Sequence, residues 1–336
     1  MTADLHAAGA AGPRKFRLGD PPYAELSWLG RQHFSDWSRG SGDWSRSDVP
    51  AGDFSYDLLP GVPRKLDRYV TRLIAPNPGV MTGPGTNTYL VGTEELAVID
   101  PGPDDAAHIR AIVAAGAGRI RWILCSHTHM DHASGVASLQ KATGARVAAM
   151  PRSGDTPPDP DAEHHVSLKL DQVLAEGDSV ALGDCSLRAV FTPGHASNHL
   201  CFLLSETGML FTGDHIMQGS TVVIWPPDGN MRAYLLSLRK LLSMELSILA
   251  PGHGYLIGGP HAEAERLIQH RLAREVKVRD ALLSSGASAT LKELLPRVYN
   301  DIAPMLLPVA ARSLQAHLDK LVEDGEVRRV GERYSY

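Results

Sequence analysis

The stretch SHTHMDHASG, residues 126–135, places four potential metal-binding side chains within six positions: His127, His129, Asp131 and His132. It follows the apolar run ILC at residues 123–125, which predicts a buried strand. Each polar group in a protein core needs its own partner, so a cluster of this density is a poor choice for a core. A polar loop rich in histidine is the alternative interpretation. The density favours a metal site at the end of a strand.

Three further candidate ligands occur downstream, each directly after a short apolar stretch and a glycine: His195, Asp214 and His253. Loops at strand ends are where a sheet scaffold presents functional side chains. Taken singly, each has a simpler explanation, since a lone histidine after Pro-Gly is more often a turn residue than a metal ligand. Together with the first cluster they supply the number of donors that two metal ions require, so the pattern indicates a dinuclear metal site.

The pattern HTHMDH followed by these three residues resembles the metallo-beta-lactamase superfamily. The resemblance implies a first metal ion held by His127, His129 and His195. It implies a second held by Asp131, His132 and His253, with Asp214 bridging the two. Imidazole and carboxylate donors suit two Zn²⁺ ions but also admit iron or manganese. Zinc lowers the pKa of its bound water to about 7, so a metal-bridging hydroxide is the implied nucleophile and Asp131 a catalytic residue.

Residues next to these ligands are candidates for supporting roles. Asp100 ends a predicted strand; it could itself bind metal, but because seven ligands are already available we expect it to orient a ligand or cap a turn. His199 is a candidate general acid, since an unperturbed imidazole has a pKa of about 6.5; packing against its own strand is the alternative. His215 is left outside the ligand set because neighbouring residues on a strand point in opposite directions. The candidate substrate contacts are Asn198, Trp225 and Asn230.

Three segments divide the chain. Residues 1–65 form an N-terminal extension whose three tryptophans predict an ordered segment lying on the main domain. Over residues 66–260, short apolar strands interleave with helices predicted at 106–115 and 134–143. This alternation fits two sheets packed face to face with helices outside, which is the αββα sandwich that the resemblance implies.

Residues 261–336 have the layout of a winged helix, with helices predicted at 262–283, 290–299 and 308–324 and a hairpin at 326–334. Residues 266–336 contain 12 Lys and Arg against 9 Asp and Glu, whereas the whole chain has a net charge of −5. The local positive sign suits nucleic-acid contact. Covering the rim of the active site, or forming the interface of a homo-oligomer, are equally good explanations of the domain.

Further motifs are similar to one branch of the superfamily, the beta-lactamase-like protein two group. They are NPGVMTGPGTNTYLVG (residues 77–92), TPGHASNH (192–199), STVVIWPPDGN (220–230) and APGHG (250–254), together with the winged helix. The resemblance covers residues 68–336. It implies the activity of the mitochondrial animal member, an endoribonuclease acting on single-stranded RNA, but the motifs do not specify a substrate.

Three functions therefore compete. The first is a dinuclear-metal phosphodiesterase or endoribonuclease with an RNA substrate. The alternative is hydrolysis of a small thioester, ester or lactam; the Asp and His donors suit chemistry of the glyoxalase II kind, whereas lactamases with a thiolate ligand place a cysteine where this chain has Asp214. The third is a non-catalytic winged-helix binding protein, although no ligand of the motif is missing.

The composition of the chain bears on its binding partners and its cellular compartment. A net charge of −5 and a pI near 6.3 argue against broad, salt-driven binding of nucleic acid. No run of 18 apolar residues or apolar signal-peptide core is present, so we expect no membrane partner. The three cysteines lie in apolar runs and predict buried free thiols of a cytoplasmic protein: Cys125, Cys185 and Cys201.

Overall fold

The computed structural model of the chain describes residues 58–152 and 164–336. The tryptophans of the predicted N-terminal extension lie outside the described residues: Trp28, Trp37 and Trp44. The remainder contains two large sheets, a small third sheet and seven α-helices in its described ranges.

The first sheet has seven strands in chain order. They are β1 (Arg64–Lys65), β2 (Val70–Ile74), β3 (Asn87–Val91), β4 (Leu96–Ile99), β5 (Ile120–Leu124), β6 (Arg146–Ala149) and β7 (Gln172–Val173). Strands β1 to β4 pair antiparallel, whereas β4 to β7 pair parallel. The parallel half places the carboxyl ends of β4 and β5 at one edge of the sheet.

The second sheet has six strands in the order β13-β12-β11-β10-β9-β8. They are β8 (Ser179–Ala181), β9 (Ser186–Phe191), β10 (Leu200–Leu204), β11 (Met209–Gly213), β12 (Ile248–Pro251) and β13 (Ile257–Gly258). Only β11 and β12 are parallel among these pairs, with Gly213 opposite Pro251. The residues that follow these two strands therefore emerge side by side.

The central strands are apolar throughout because both of their faces are covered. Along β10, Leu200, Phe202 and Leu204 pack in the core between the two sheets, whereas Cys201 and Leu203 pack on the outer side. Side chains alternate between the faces of a strand, so only an uninterrupted apolar run satisfies both layers. This confirms the predicted sandwich, with helices outside each sheet.

Four helices cover the sandwich. Helices α1 (Ala106–Gly116) and α3 (Val136–Thr143) cover the first sheet, and α4 (Met231–Leu241) covers the second together with the first half of α5 (Pro260–Leu283). The helix predicted at 134–143 is instead the single turn α2 (Met130–Ala133) followed by α3. The chain breaks there because Gly135 N donates a hydrogen bond to Gly102 O and not to the preceding turn.

The winged helix is built from the end of α5, α6 (Leu291–Val298), α7 (Leu307–Glu323) and a sheet of β14 (Ala289–Thr290), β16 (Arg333–Ser335) and β15 (Arg328–Val330). Helix α5 belongs to two cores. Leu267 and Ile268 pack beneath the second sheet, whereas Val278 and Leu282 pack inside the winged helix. The predicted boundary between residues 260 and 261 therefore falls at the first turn of a helix that both cores share.

One face of α7 packs on the sandwich. Ala316 lies in the outer core of the second sheet, and Glu323 accepts a hydrogen bond of 2.9 Å from Asn230 Nδ2. Asp324, just past the helix, pairs with Arg232 of α4. In a helix-turn-helix pair the second helix is the one that enters the major groove of DNA. Here that helix is α7, and its sandwich-facing side is covered by protein.

A buried carboxylate joins α5 to α7. Glu275 is 1% exposed, and its Oε1 accepts hydrogen bonds from Arg279 Nη2 at 2.9 Å and from Lys320 Nζ at 3.1 Å. Burial opposes ionisation of Glu275, but the neighbouring His317 ring, 3.8 Å away, and the hydrogen bond from Lys320 lower its pKa to about 2. The ionised carboxylate therefore ties α7 of the winged helix to the linking helix.

No helix within the described ranges is long and apolar enough to cross a membrane. Cys125, Cys185 and Cys201 are buried free thiols, as predicted.

We expect Glu275→Gln to lower the free energy of unfolding by about 2 kcal/mol, because the substitution leaves Lys320 with no charged partner on α5 at a largely buried site. Urea denaturation followed by circular dichroism measures this change. Glu265→Gln, on the exposed face of the same helix, is the matched control and should change the free energy by less than about 0.5 kcal/mol. Equal effects of the two variants would contradict the role of Glu275.

Candidate metal centre

The seven candidate ligands lie at one edge of the sandwich, each in the segment that follows a strand, with Asp131 and His132 in the single turn α2. Four come after β5, and the other three follow β9, β11 and β12: His195, Asp214 and His253. Asn87 at the start of β3 donates hydrogen bonds of 2.9 Å to Pro251 O and Gly254 O, which joins the first sheet to the loop carrying His253. The polar residues that follow the strands of both sheets therefore lie close together at this edge.

Three imidazoles converge at one side of this edge. His127 Nε2 lies 2.8 Å from His129 Nδ1, and His195 Nε2 lies 3.0 Å from the same nitrogen. The three residues have ligand atoms within 4.8 Å of one another. Their nitrogens therefore surround one point.

A second group lies beside the first. His132 Nε2 is 3.2 Å from His253 Nε2, and Asp131 Oδ2 lies 3.5 Å from the former nitrogen and 3.3 Å from the latter. The side chain of Asp131 is 30% exposed, whereas those of His132 and His253 are almost completely buried. This group is therefore open to solvent on its carboxylate side.

Asp214 spans the two groups. Its Oδ1 lies 3.3 Å from His132 Nε2 and 3.4 Å from His253 Nε2, and its Oδ2 lies 3.7 Å from His195 Nε2. Oδ1 is buried and receives no hydrogen bond from any described residue. One carboxylate thus directs an oxygen towards each group.

The outer ring nitrogens are occupied by acceptors, which fixes the tautomers. Ser126 Oγ donates to Asp100 Oδ2 at 2.7 Å, so His127 Nδ1, 2.9 Å from that hydroxyl, is the donor in their contact. His195 Nδ1 donates to Val223 O at 2.7 Å. The inward Nε2 atoms of His127 and His195 therefore carry lone pairs.

The same holds for the second group. His132 Nδ1 donates to Asp100 Oδ2 at 3.0 Å, and His253 Nδ1 faces Gly85 O at 3.3 Å. In the neutral rings, the Nε2 atoms of His132 and His253 therefore face the oxygens of Asp131 and Asp214 as acceptors facing acceptors. A cation in each group satisfies such an arrangement, and nitrogen and carboxylate donors suit zinc, iron or manganese. The residues present fit a pair of divalent metal ions.

Burial and the neighbouring charges shift the pKa values of the candidate ligands. Burial lowers the pKa of His127 and His129 well below the usual value, and the neighbouring imidazoles lower it further. Burial opposes ionisation of Asp214, yet His253 and His132 hold its pKa well below the usual range. Although burial opposes protonation of His132, Asp131 and Asp214 raise its pKa. The carboxylates thus favour positive charge in the second group.

Asp100 orients His132, as the sequence predicts. Its Oδ1 accepts a hydrogen bond of 2.7 Å from Ser126 N, and its Oδ2 contacts both Ser126 Oγ and His132 Nδ1. The backbone of Asp100 has a φ of 51°, in the left-handed region that non-glycine residues adopt rarely. Strained backbone of this kind is concentrated at functional sites.

His199 lies behind the cluster. Its Nδ1 is 2.9 Å from Thr192 Oγ1, and its Nε2 accepts a hydrogen bond of 3.2 Å from Asp214 N. The ring is 0% exposed, and burial lowers its pKa well below the usual value. This placement argues against the predicted general-acid role and instead supports a positioning role for the loop of Asp214. His215 lies outside the cluster, with its ring 5.2 Å from that of Tyr234.

Two of the three candidate substrate contacts have structural roles. Asn198 is 1% exposed, and its Nδ2 donates to Met150 O at 3.0 Å. Asn230 caps α4 by accepting a hydrogen bond of 2.8 Å from Ala233 N. Trp225 is half-buried in the loop before α4, and its ring lies 6.3 Å from that of His164.

Sequence reasoning missed His165 and Asp228. A nitrogen of His165 and an oxygen of Asp228 lie with a nitrogen of His129 within 4.8 Å of one another. Asp228 also accepts hydrogen bonds from Ser197 Oγ at 2.7 Å and from Arg152 Nη2 at 3.1 Å. The only available signal was the position of Asp228 in the motif at residues 220–230.

Comparison with known proteins agrees with the fold. Residues 81–253 match the metallo-beta-lactamase superfamily, and residues 290–334 match the beta-lactamase associated winged helix domain. The beta-lactamase-like protein 2 homolog of Drosophila melanogaster is 32% identical over 282 residues, which cover 81% of this chain and 93% of that protein. The atrochrysone carboxyl ACP thioesterase of Aspergillus fumigatus is 30% identical over 284 residues, covering 79% of this chain and 84% of that protein.

A solved structure shares the architecture. The metallo-beta-lactamase family protein of Thermus thermophilus has a TM-score of 0.63 and 25% sequence identity, covering 79% of this chain and 98% of that chain. The chain therefore belongs to the metallo-beta-lactamase superfamily, as a hydrolase with a C-terminal beta-lactamase-associated winged helix.

Proposed function

We propose that this hydrolase cleaves acyl thioesters with the help of two divalent metal ions, most suitably Zn²⁺. The observation that carries the proposal is the pair of potential metal sites that Asp214 spans. Their metal-binding atoms are imidazole nitrogens and carboxylate oxygens alone. A thioesterase among the relatives, 30% identical over 79% of the chain, supports a thioester as the substrate.

In this proposal one ion is held by His127, His129 and His195. The other would be held by Asp131, His132 and His253, and Asp214 would offer an oxygen to each. When bound, such ions polarise the acyl carbonyl and lower the pKa of water, so that hydroxide is available near neutral pH.

The protein's own residues orient this reaction. Asp131 contacts both imidazoles of its group through Oδ2, and we assign its Oδ1 the role of accepting a hydrogen bond from the attacking water. Asp100 and Val223 O fix the rings of His132 and His195. His199 holds the backbone of Asp214 by accepting its N–H.

RNA hydrolysis has less support than thioester hydrolysis. The helix of the winged helix that would enter a groove of nucleic acid, α7, packs one face on the sandwich through Ala316 and Glu323. The net charge of −5 provides no broad attraction for a polyanion.

A substrate panel on zinc-loaded protein tests the proposal: an acyl thioester, single-stranded RNA and a chromogenic lactam. We expect turnover of the thioester, measured by thiol release, with kcat/KM at least about a hundredfold above that for the other two. Cleavage of RNA in preference to the thioester would overturn the proposal.

The carboxylate of Asp214 should be essential for metal binding. We expect Asp214→Asn to lose at least one metal equivalent by elemental analysis and to reduce kcat by about a thousandfold, because the amide removes the negative charge that two cations share. Asp280→Asn, on the exposed face of α5, is the matched control and should retain both metal content and turnover. Full metal occupancy in Asp214→Asn would contradict the assignment.

Gly252 leaves the space that the second group needs. A Cβ added at Gly252 would lie 2.7 Å from His132 Cε1 and 2.9 Å from Asp214 Oδ1. We expect Gly252→Ala to weaken zinc affinity by about 10- to 100-fold, as displaced supporting groups do, in a chelator-competition titration. Gly258→Ala provides the control because an added Cβ there meets nothing within 4 Å. Unchanged affinity in Gly252→Ala would show that the site adjusts freely.

A further inference from the structure

The winged helix places a cationic side chain at the rim of the candidate metal centre. The guanidinium carbon of Arg312, in the first turns of α7, lies 4.3 Å from the ring centroid of Trp225. Trp225 belongs to the loop between β11 and α4 on the sandwich, whereas Arg312 is exposed on the other domain. A guanidinium at this distance from an indole is held by a cation–π interaction, so its charge has a defined position.

Residues next to Trp225 and next to its ring partner contact the imidazoles of the metal site. Val223, two residues before Trp225, accepts the hydrogen bond from His195 Nδ1. On the other side, the ring of His164 lies 6.3 Å from that of Trp225, and its neighbour His165 lies 4.6 Å from His129. The indole therefore stands one layer of residues outside the first imidazole group.

A second arginine, Arg152, contacts the same loop at its far end. Arg152 donates hydrogen bonds to Asp228 Oδ1 from Nε at 3.3 Å and from Nη2 at 3.1 Å, while Asp228 also accepts from Ser197. The buried carboxylate is thus balanced by Arg152, and the loop is fixed at the end away from Trp225.

The end of α7 is fixed to the sandwich by its acidic residues. Glu323 accepts from Asn230, and Asp324 pairs with Arg232. These contacts hold the helix against α4 and the loop before it, so the first turns of α7 keep Arg312 over the indole of Trp225.

We propose that Arg312 and Trp225 form a subsite for the phosphate-bearing thiol of the thioester substrate. This inference rests on the proposed thioesterase function and names the part of the substrate that the winged helix contacts. A planar guanidinium matches two phosphate oxygens at once, and stacking on the indole fixes its orientation before the ligand arrives. In a chain of net charge −5, a cation held at this point provides local recognition of an anionic group.

Two substrates with the same acyl group and different thiols test the subsite: acetyl-coenzyme A, which carries phosphates, and S-acetyl-N-acetylcysteamine, which carries none. We expect Arg312→Ala to raise KM for acetyl-coenzyme A about tenfold, the loss typical of one charge-assisted hydrogen bond. KM for the uncharged thioester and kcat for both should be unchanged. Arg312→Lys should retain part of the effect because it keeps the charge and loses the planar fork.

Arg328→Ala is the matched control, since Arg328 is an exposed arginine on strand β15 of the same domain. It should leave both KM values unchanged. An equal rise of KM for both thioesters in Arg312→Ala would assign Arg312 a structural role, and no rise for either would remove it from the substrate site. Both outcomes overturn the subsite.

A binding measurement separates this inference from the proposed function. Desulfo-coenzyme A lacks the thiol that would bind metal, so calorimetric titration reports the phosphate-bearing part alone. Weaker binding by Arg312→Ala than by the wild type, at least about fivefold, supports the subsite even if the wild type hydrolyses neither thioester, in which case only the thioesterase proposal fails. Equal binding by both proteins overturns the subsite.

Discussion

The rest of this structure depends on one constraint: at the edge of the sandwich, imidazole nitrogens and carboxylate oxygens, all hydrogen-bond acceptors when the rings are neutral, face one another. Imidazole nitrogens with lone pairs and carboxylate oxygens meet within hydrogen-bonding distance at the sheet edge, and the outer nitrogen of His127 and that of His195 already donate elsewhere. Burying such groups without compensation is costly. This arrangement is held in place by the two sheets, the turns at their strand ends and the buried residues behind the ligands. Cations bound between the acceptor atoms would compensate their negative potential.

Much of the fold was accessible from the sequence because its signals are local. Apolar runs predict strands that are covered on both faces, and a glycine before each isolated ligand predicts a turn at a strand end. The gathering of the candidate ligands also has a local basis in part, since four lie within six consecutive residues. That the remaining three meet these four depends on sheet order, which the resemblance to the superfamily supplied and residue patterns did not.

The sequence left roles open where the role of a polar residue depends on its tertiary partners. His199 and Asn198 follow a ligand and carry suitable chemistry, yet both are buried behind the site, where they bond to Asp214 N and Met150 O. Nothing in the local sequence states which way these side chains point. The stacking of Arg312 on Trp225 was equally inaccessible, because it depends on how the winged helix docks. The position of Trp225 in a loop after Asp214 was the part that sequence could provide.

Helix α5 has a consequence for how the two domains behave. Its 24 residues span about 36 Å, and its two halves complete two different hydrophobic cores. Loss of either core exposes apolar surface on the same rigid element. The two domains should therefore unfold together in a single cooperative transition. In thermodynamic terms, the winged helix and the sandwich form one folding unit.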